Sequence, residues 1–171
     1  MTDRILVTYA SRTGSTIGVA QAIAALLTEK GFLVDVIPMP EVKEISPYRA
    51  VIAGSAIQAG AWLPEAMRFL QNHRTALNQR PFAAFLVCMT LVMGNGKYRD
   101  HVATFMQPVR EIVKTRSEGL FTGALNISAI PSLVDRIKFR LSVLFGVWKE
   151  GDHRDWDAIR KWAAALPQKL F

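Results

Sequence analysis

The chain has 171 residues, half of them hydrophobic and a fifth charged, with 11 Gly, 8 Pro and one Cys. That size and apolar content suit one globular domain and exclude disorder as the main state. Its 21 Lys and Arg against 14 Asp and Glu leave a formal charge of +7, which favours an anionic partner such as nucleic acid, an acidic lipid surface or an anionic substrate.

The excess is uneven: residues 86–171 hold 13 basic and 8 acidic side chains, so the anion-seeking surface is expected to be local. Cys88 alone excludes an intramolecular disulfide and a Cys-rich metal site. The first residues run straight into Ile5-Leu6-Val7 without a leader-like stretch, and the longest apolar run, Phe82 to Met93, is shorter than the roughly 20 residues a spanning helix needs. A cytoplasmic location is expected, with peripheral contact at the inner face of the cell membrane.

In chain order, Arg4 to Tyr9 reads as a strand and Thr16 to Lys30 as a helix, with Ile17, Ala20, Ile23, Ala24 and Leu27 on one face and Gly31 as the stop. Phe32 to Pro38 is the second strand, and Glu41 to Ile45 a short connection limited by Pro47. Ala50 to Ala53 is the third strand, ending at Gly54-Ser55, with a loop from Ala56 to Trp62. A helix is predicted from Leu63 to Leu77, a fully buried strand from Phe82 to Met89, and a helix from Tyr98 to Arg116. Leu120 to Leu125 supplies the fifth strand and Asp155 to Leu166 the last helix. This alternation predicts an α/β fold with a five-stranded parallel sheet and helices on both faces.

Ile130 to Asp152 exceeds what that pattern needs. Within it Leu133, Ile137, Leu141, Leu144 and Trp148 recur at helical spacing, with Arg136 and Arg140 one turn apart on an adjacent strip and Lys138 elsewhere, which describes an amphipathic helix with cationic flanks. Val134, Phe139, Val143, Phe145 and Val147 add apolar surface. The segment either packs over the sheet edge or meets lipid, a greasy substrate or another subunit, making a homo-oligomer one expectation. No nucleic-acid motif accompanies the charge, so a nucleic-acid partner is not expected.

Chemistry is most legible in Ser11-Arg12-Thr13-Gly14-Ser15-Thr16, between the first strand and the first helix. Hydroxyls and a glycine turn there surround free N–H groups at a positive helix end, which suits a phosphate dianion. The same residues also form ordinary turns and caps. Their place at the carboxyl end of a parallel strand favours the phosphate. Neither a triphosphate loop nor a dinucleotide fingerprint is present. Arg12 reads as a phosphate partner or a solvated loop charge, and the sufficiency of the backbone donors favours the second.

Ser11-x-Thr13-Gly14-x-Thr16 resembles the FMN-phosphate loop of flavodoxins. With Ile52 to Gly60, Phe121 to Leu125 and Asp155-Trp156, the likeness is closest to the flavodoxin-like branch that includes menaquinone-dependent protoporphyrinogen IX dehydrogenase, where an insertion falls at the corresponding place. The resemblance implies a flavodoxin-like three-layer sandwich with strand order 2-1-3-4-5 and FMN as cofactor. It implies that Ser11, Arg12, Thr13, Gly14, Ser15 and Thr16 hold the phosphate, that Ser55, Ala56, Ile57, Gln58, Ala59 and Gly60 line one side of the flavin ring, and that the segment from Cys88 to Gly94, with Met89, Thr90 and Leu91, approaches its other edge. The implied activity is an FMN-dependent dehydrogenase acting on a porphyrinogen with a quinone as electron acceptor, touching the membrane through residues 131–149. An alternative is a non-catalytic electron carrier between protein partners, and a third a flavin-free binding module.

Flavodoxins place aromatic residues over the ring, whereas the second loop here offers only Trp62 and the third none before Tyr98. His73, His101 and His153 are scattered, so no metal site is expected. Cys88 reads as a core residue, Asp152 and Asp155 as a helix start, and no catalytic side chain is named.

Overall fold

A computed structural model describes residues 4–171. Five parallel strands form the sheet: β1 (Arg4–Ala10), β2 (Leu33–Pro38), β3 (Ala50–Gln58), β5 (Phe82–Val87) and β6 (Ser117–Phe121), in the order β2-β1-β3-β5-β6. A two-residue strand, β4 (Ala61–Trp62), folds back antiparallel on β3. Helix α1 (Ser15–Glu29) follows β1; α2 (Pro64–Asn72) and α3 (Arg74–Asn78) lead to β5; α4 (Arg99–Ala103) and α5 (Gln107–Ile112) lead to β6. Beyond β6 come β7 (Ala124–Leu125), α6 (Leu133–Leu144), β8 (Gly151–Asp152) and α7 (Trp156–Leu170). The flavodoxin-like three-layer sandwich and its strand order are as expected from sequence.

Strand residues alternate between two cores, as the period of two requires. Leu6, Val51, Ala53, Ala84 and Leu86 face α2 and α5, joined by Leu70, Met106 and Val109. Ile5, Val7, Ile52, Ala83 and Phe85 face α1 and α7, joined by Ile23, Leu27, Ala163 and Leu166. All six residues of β5 are buried, which explains why that strand is a continuous apolar run.

Several boundaries differ from expectation, among them the helix expected over Leu63 to Leu77, which is two helices, Pro64–Asn72 and Arg74–Asn78. The third strand continues past Ser55 to Gln58, and the expected loop is a β-hairpin pairing Ile57 with Trp62. Its turn places Ala59 and Gly60 at φ 50° and 77°, both left-handed, as a tight two-residue hairpin requires. The expected helix from Tyr98 to Arg116 is broken by a 3-10 turn at Thr104–Met106 and ends at Ile112, because Pro108 removes one backbone donor. The fifth strand is Ser117–Phe121, while Ala124–Leu125 leaves the sheet to pair with Gly151–Asp152. Within the insertion the helix covers only Leu133–Leu144, so Trp148 lies beyond it.

Candidate functional site

The loop between β1 and α1 lies at the carboxyl end of β1, whose neighbours β2 and β3 lie on opposite sides of it. That is the switch point where open α/β sheets bind ligands. Gly14 takes a left-handed conformation, φ 88°, as N-cap of α1, and no side chain caps the helix. No acidic residue lies in the first turn. Ser11 Oγ accepts from the Gly14 amide at 3.2 Å and Ser15 Oγ from the Ala124 amide at 2.9 Å. Neither hydroxyl has an acceptor for its own proton among the described residues.

Thr16 is the telling residue. It is fully buried, and its Oγ1 has no hydrogen-bond partner. An orphaned buried hydroxyl costs about 1–3 kcal/mol, and an incoming anionic oxygen would satisfy it. Three hydroxyls with unused protons around an uncapped helix N-terminus fit a phosphate group.

The loop after β5 and the segment after β6 meet this one at Gly123. A Cβ there would stand 3.2 Å from Val87 Cγ1, 3.3 Å from Met89 Sδ and 3.3 Å from Ser15 Oγ. The structure thereby brings Met89 beside the phosphate loop. Thr90 is half-buried and Leu91 buried in a 3-10 turn, Met89–Gly96. Ser55 is internal: fully buried, its Oγ accepts from the Leu63 amide at 3.0 Å and donates to the Ala56 carbonyl at 2.8 Å. Its hydroxyl pins the hairpin. Ala56 and Ile57 are half-buried, while Gln58, Ala59 and Gly60 form the open tip.

Trp62 is 4% exposed, so the one aromatic expected from the second loop is core. Sequence reading missed Phe105, which packs on the hairpin tip, a Cβ on Gly60 standing 3.5 Å from its ring. His101 lies edge-on to Phe105, with centroids 5.0 Å apart. Forty-five residues separate Phe105 from Gly60, and no local motif marks the contact. Beside the same sheet end, Leu91, Arg99, Phe121, Thr122 and Asp155 line a cavity of about 110 Å³.

Arg12 is exposed, with 43% of its side chain open to solvent, and is held in an ion pair. Its guanidinium forms a two-pronged ion pair with Glu65 at the start of α2, Nη2 donating to Oε2 at 3.0 Å. Hydrogen bonding from Arg12 holds the Glu65 carboxyl below its ordinary 4.5 and raises the Arg12 value. Because the folded pKa is depressed, the pair's stabilisation is present above pH 4.5 and fades as pH falls through the lower folded value. The melting temperature of Glu65→Gln is accordingly expected to lie below wild type near pH 7, with the gap closing toward pH 3. A constant gap would contradict the assignment.

Arg154 braces the loop from behind. It grips Asp152 through Nε and Nη2, both at 2.7 Å, lies 4.4 Å over the Trp156 ring, and donates from Nη1 to the Ser15 carbonyl at 3.4 Å. Those hydrogen bonds pull the Asp152 carboxyl from 3.8 down to about 2. Asp152 is therefore a partner of Arg154 and not a helix cap, whereas Asp155 caps α7 as expected, accepting from the Ala158 amide at 2.9 Å. Cys88 is buried, and no group of three or more His, Cys, Asp or Glu among the described residues could hold a metal ion.

Solved structures share this architecture. Flavodoxin 2 from Bacillus cereus is 18% identical with a TM-score of 0.60, the alignment covering 97% of this chain and 99% of that one. A flavodoxin from the domain Archaea is 19% identical with a TM-score of 0.56, covering 98% of each chain. Rubredoxin oxygen:oxidoreductase from Desulfovibrio gigas is 19% identical with a TM-score of 0.53, covering 99% of this chain and 37% of that one. No curated protein matches at the sequence level. The flavodoxin domain model matches residues 6–153, most of the chain, and the chain belongs to that family.

Proposed function

We propose that the protein is an FMN-dependent electron-transfer protein of the flavodoxin type. The observation that carries this reading is the orphaned Thr16 hydroxyl beneath an uncapped helix N-terminus at the sheet's switch point. Ser11, Thr13, Gly14, Ser15 and Thr16 would hold the phosphate, and Arg12 would brace the loop through Glu65. The hairpin from Ala56 to Gly60 and the turn at Met89, Thr90 and Leu91 would flank the ring, with Ser55 holding the hairpin in place. Bound there, FMN supplies the electron chemistry. A ring flanked by these segments would keep an edge toward solvent, as outer-sphere electron exchange requires.

A second reading is favoured by the basic, apolar insertion. In it the same residues would hold FMN for the dehydrogenation of a small reduced substrate, such as a porphyrinogen, with a quinone as the acceptor of its hydrogen. Arg140 and Lys138 would attract the substrate's carboxylates. Protein reconstituted with FMN, then supplied with protoporphyrinogen and a menaquinone analogue, separates the two. Electron relay only through an added reductase and acceptor protein supports the carrier; direct turnover supports the dehydrogenase. Failure to take up FMN contradicts both.

A further inference from the structure

The insertion helix α6 has no buried residue. Leu133, Val134, Ile137, Leu141, Leu144 and Phe145 are 48% to 78% exposed. Elsewhere among the described residues only Leu33, Val36, Val147, Tyr98 and Phe171 are comparably open large hydrophobics. The helix packs on the protein through its other side, where Phe139, Val143 and the following Trp148 rest on a small core of Leu125, Ile127 and Ile130. Of the stripe read from sequence, Leu133, Ile137, Leu141 and Leu144 face solvent and Trp148 packs, while Phe139 and Val143 from the added apolar surface make the rest of the contact.

At about 100° per residue, Leu133, Leu144, Ile137, Leu141, Val134 and Phe145 occupy an arc of about 120°. Arg140 borders one side of it and Lys138 the other. Both are exposed; Lys138 has only a 4.0 Å approach to Asp135, and Arg140 has no ion pair among the described salt bridges. Arg136 is not part of this border, since its Nε donates to the Ile130 carbonyl at the helix base. No described helix is long and apolar enough to cross a membrane.

We propose that this arc is a docking surface for an anionic lipid leaflet, with α6 lying in the interface plane, its apolar residues among the acyl chains and Lys138 and Arg140 at the headgroups. Cations on both sides of a convex apolar strip match a surface that is negative wherever it is met. A second copy of the chain matches less well, because pairing these strips would bring like-charged borders together on partners that each carry +7. The base of the insertion touches the phosphate loop: Ser15 Oγ accepts from Ala124 on the outgoing limb, and the Ser15 carbonyl accepts from Arg154 on the returning limb. A docked leaflet would therefore lie toward the carboxyl end of the sheet. The docking itself does not rest on the flavin reading; only the delivery of electrons to a lipid-dissolved acceptor would.

The test is co-sedimentation of the full chain with phosphatidylcholine vesicles, with and without about a third phosphatidylglycerol, a composition range in which basic side chains near the surface attract measurably. Wild type is expected to bind the anionic vesicles and to release them as salt rises. Ile137→Asp/Leu144→Asp and Lys138→Glu/Arg140→Glu should each lose roughly tenfold or more in partitioning, since two sites of about 1 kcal/mol each exceed a tenfold change. Leu33→Asp, at an exposed apolar position on the sheet edge, should bind as wild type does. Equal partitioning of wild type and the α6 variants would overturn the proposal. So would no vesicle binding, or a wild-type dimer that Ile137→Asp dissociates, which would give the face to a second copy. FMN affinity, measured on the same samples, should not change with the α6 variants; a chain that binds vesicles but no flavin would sink the redox reading and leave the docking intact.

Discussion

Phe85→Ala is expected to lower the stability of the fold by about 3–5 kcal/mol, the range for truncating a fully buried phenylalanine. The ring is 0% exposed and lies at the centre of an aromatic group, 6.2 Å from both Phe121 and Trp162. It also covers Gly54 on the neighbouring strand so closely that a Cβ there would collide with the ring. Gly54→Ala alone should therefore destabilise by about 1–3 kcal/mol through overpacking. Made on top of Phe85→Ala, the same change should be neutral or stabilising, because the added methyl enters the vacated space. Urea denaturation of the four proteins forms a double-mutant cycle, and additive losses would contradict the close approach. The position matters for the site, because Gly54 immediately precedes Ser55, which pins the hairpin.

Thr16→Val is expected to move two quantities in opposite directions. Removing an unsatisfied buried hydroxyl should raise the stability of the flavin-free protein by up to about 1–3 kcal/mol. Loss of one hydrogen bond to a charged phosphate, worth about 1.5–3 kcal/mol, should weaken FMN roughly 10- to 100-fold. Thermal melts of flavin-free protein and fluorescence titration with FMN read the two effects separately. A variant that loses stability and binds FMN as wild type does would show that Thr16 serves the core alone.

The fold was legible because its signals were local. Period-three-and-four spacing marked α1, and the unbroken apolar run marked β5 as a strand covered on both faces. The β1–α1 loop was legible as a candidate site for the same reason: its hydroxyls, its glycine and the helix they open are contiguous in sequence. Errors arose where distant partners decide. The partner of Arg12 was not legible because Glu65, which binds it, is 53 residues away. The role of Ser55 in the hairpin was not visible because nothing nearby in sequence showed that its hydroxyl would hold the Leu63 amide. Trp62 is drawn into the core by pairing with Ile57 across a turn whose left-handed residues, Ala59 and Gly60, include an alanine that does not advertise that conformation. In α6 the periodicity was legible but left the packing face open, since both sides of the helix are apolar and only the contact with Leu125, Ile127 and Ile130 chooses between them.

The central claim is that the β1–α1 loop binds a terminal phosphate. Parallel titrations of flavin-free protein with FMN and with riboflavin, which lacks that phosphate, test it most directly. The phosphate reading predicts FMN binding tighter by roughly a hundredfold or more, the equivalent of about 3 kcal/mol in charge-assisted hydrogen bonds, with inorganic phosphate competing. Equal affinity for the two flavins, or no uptake of either, would contradict it.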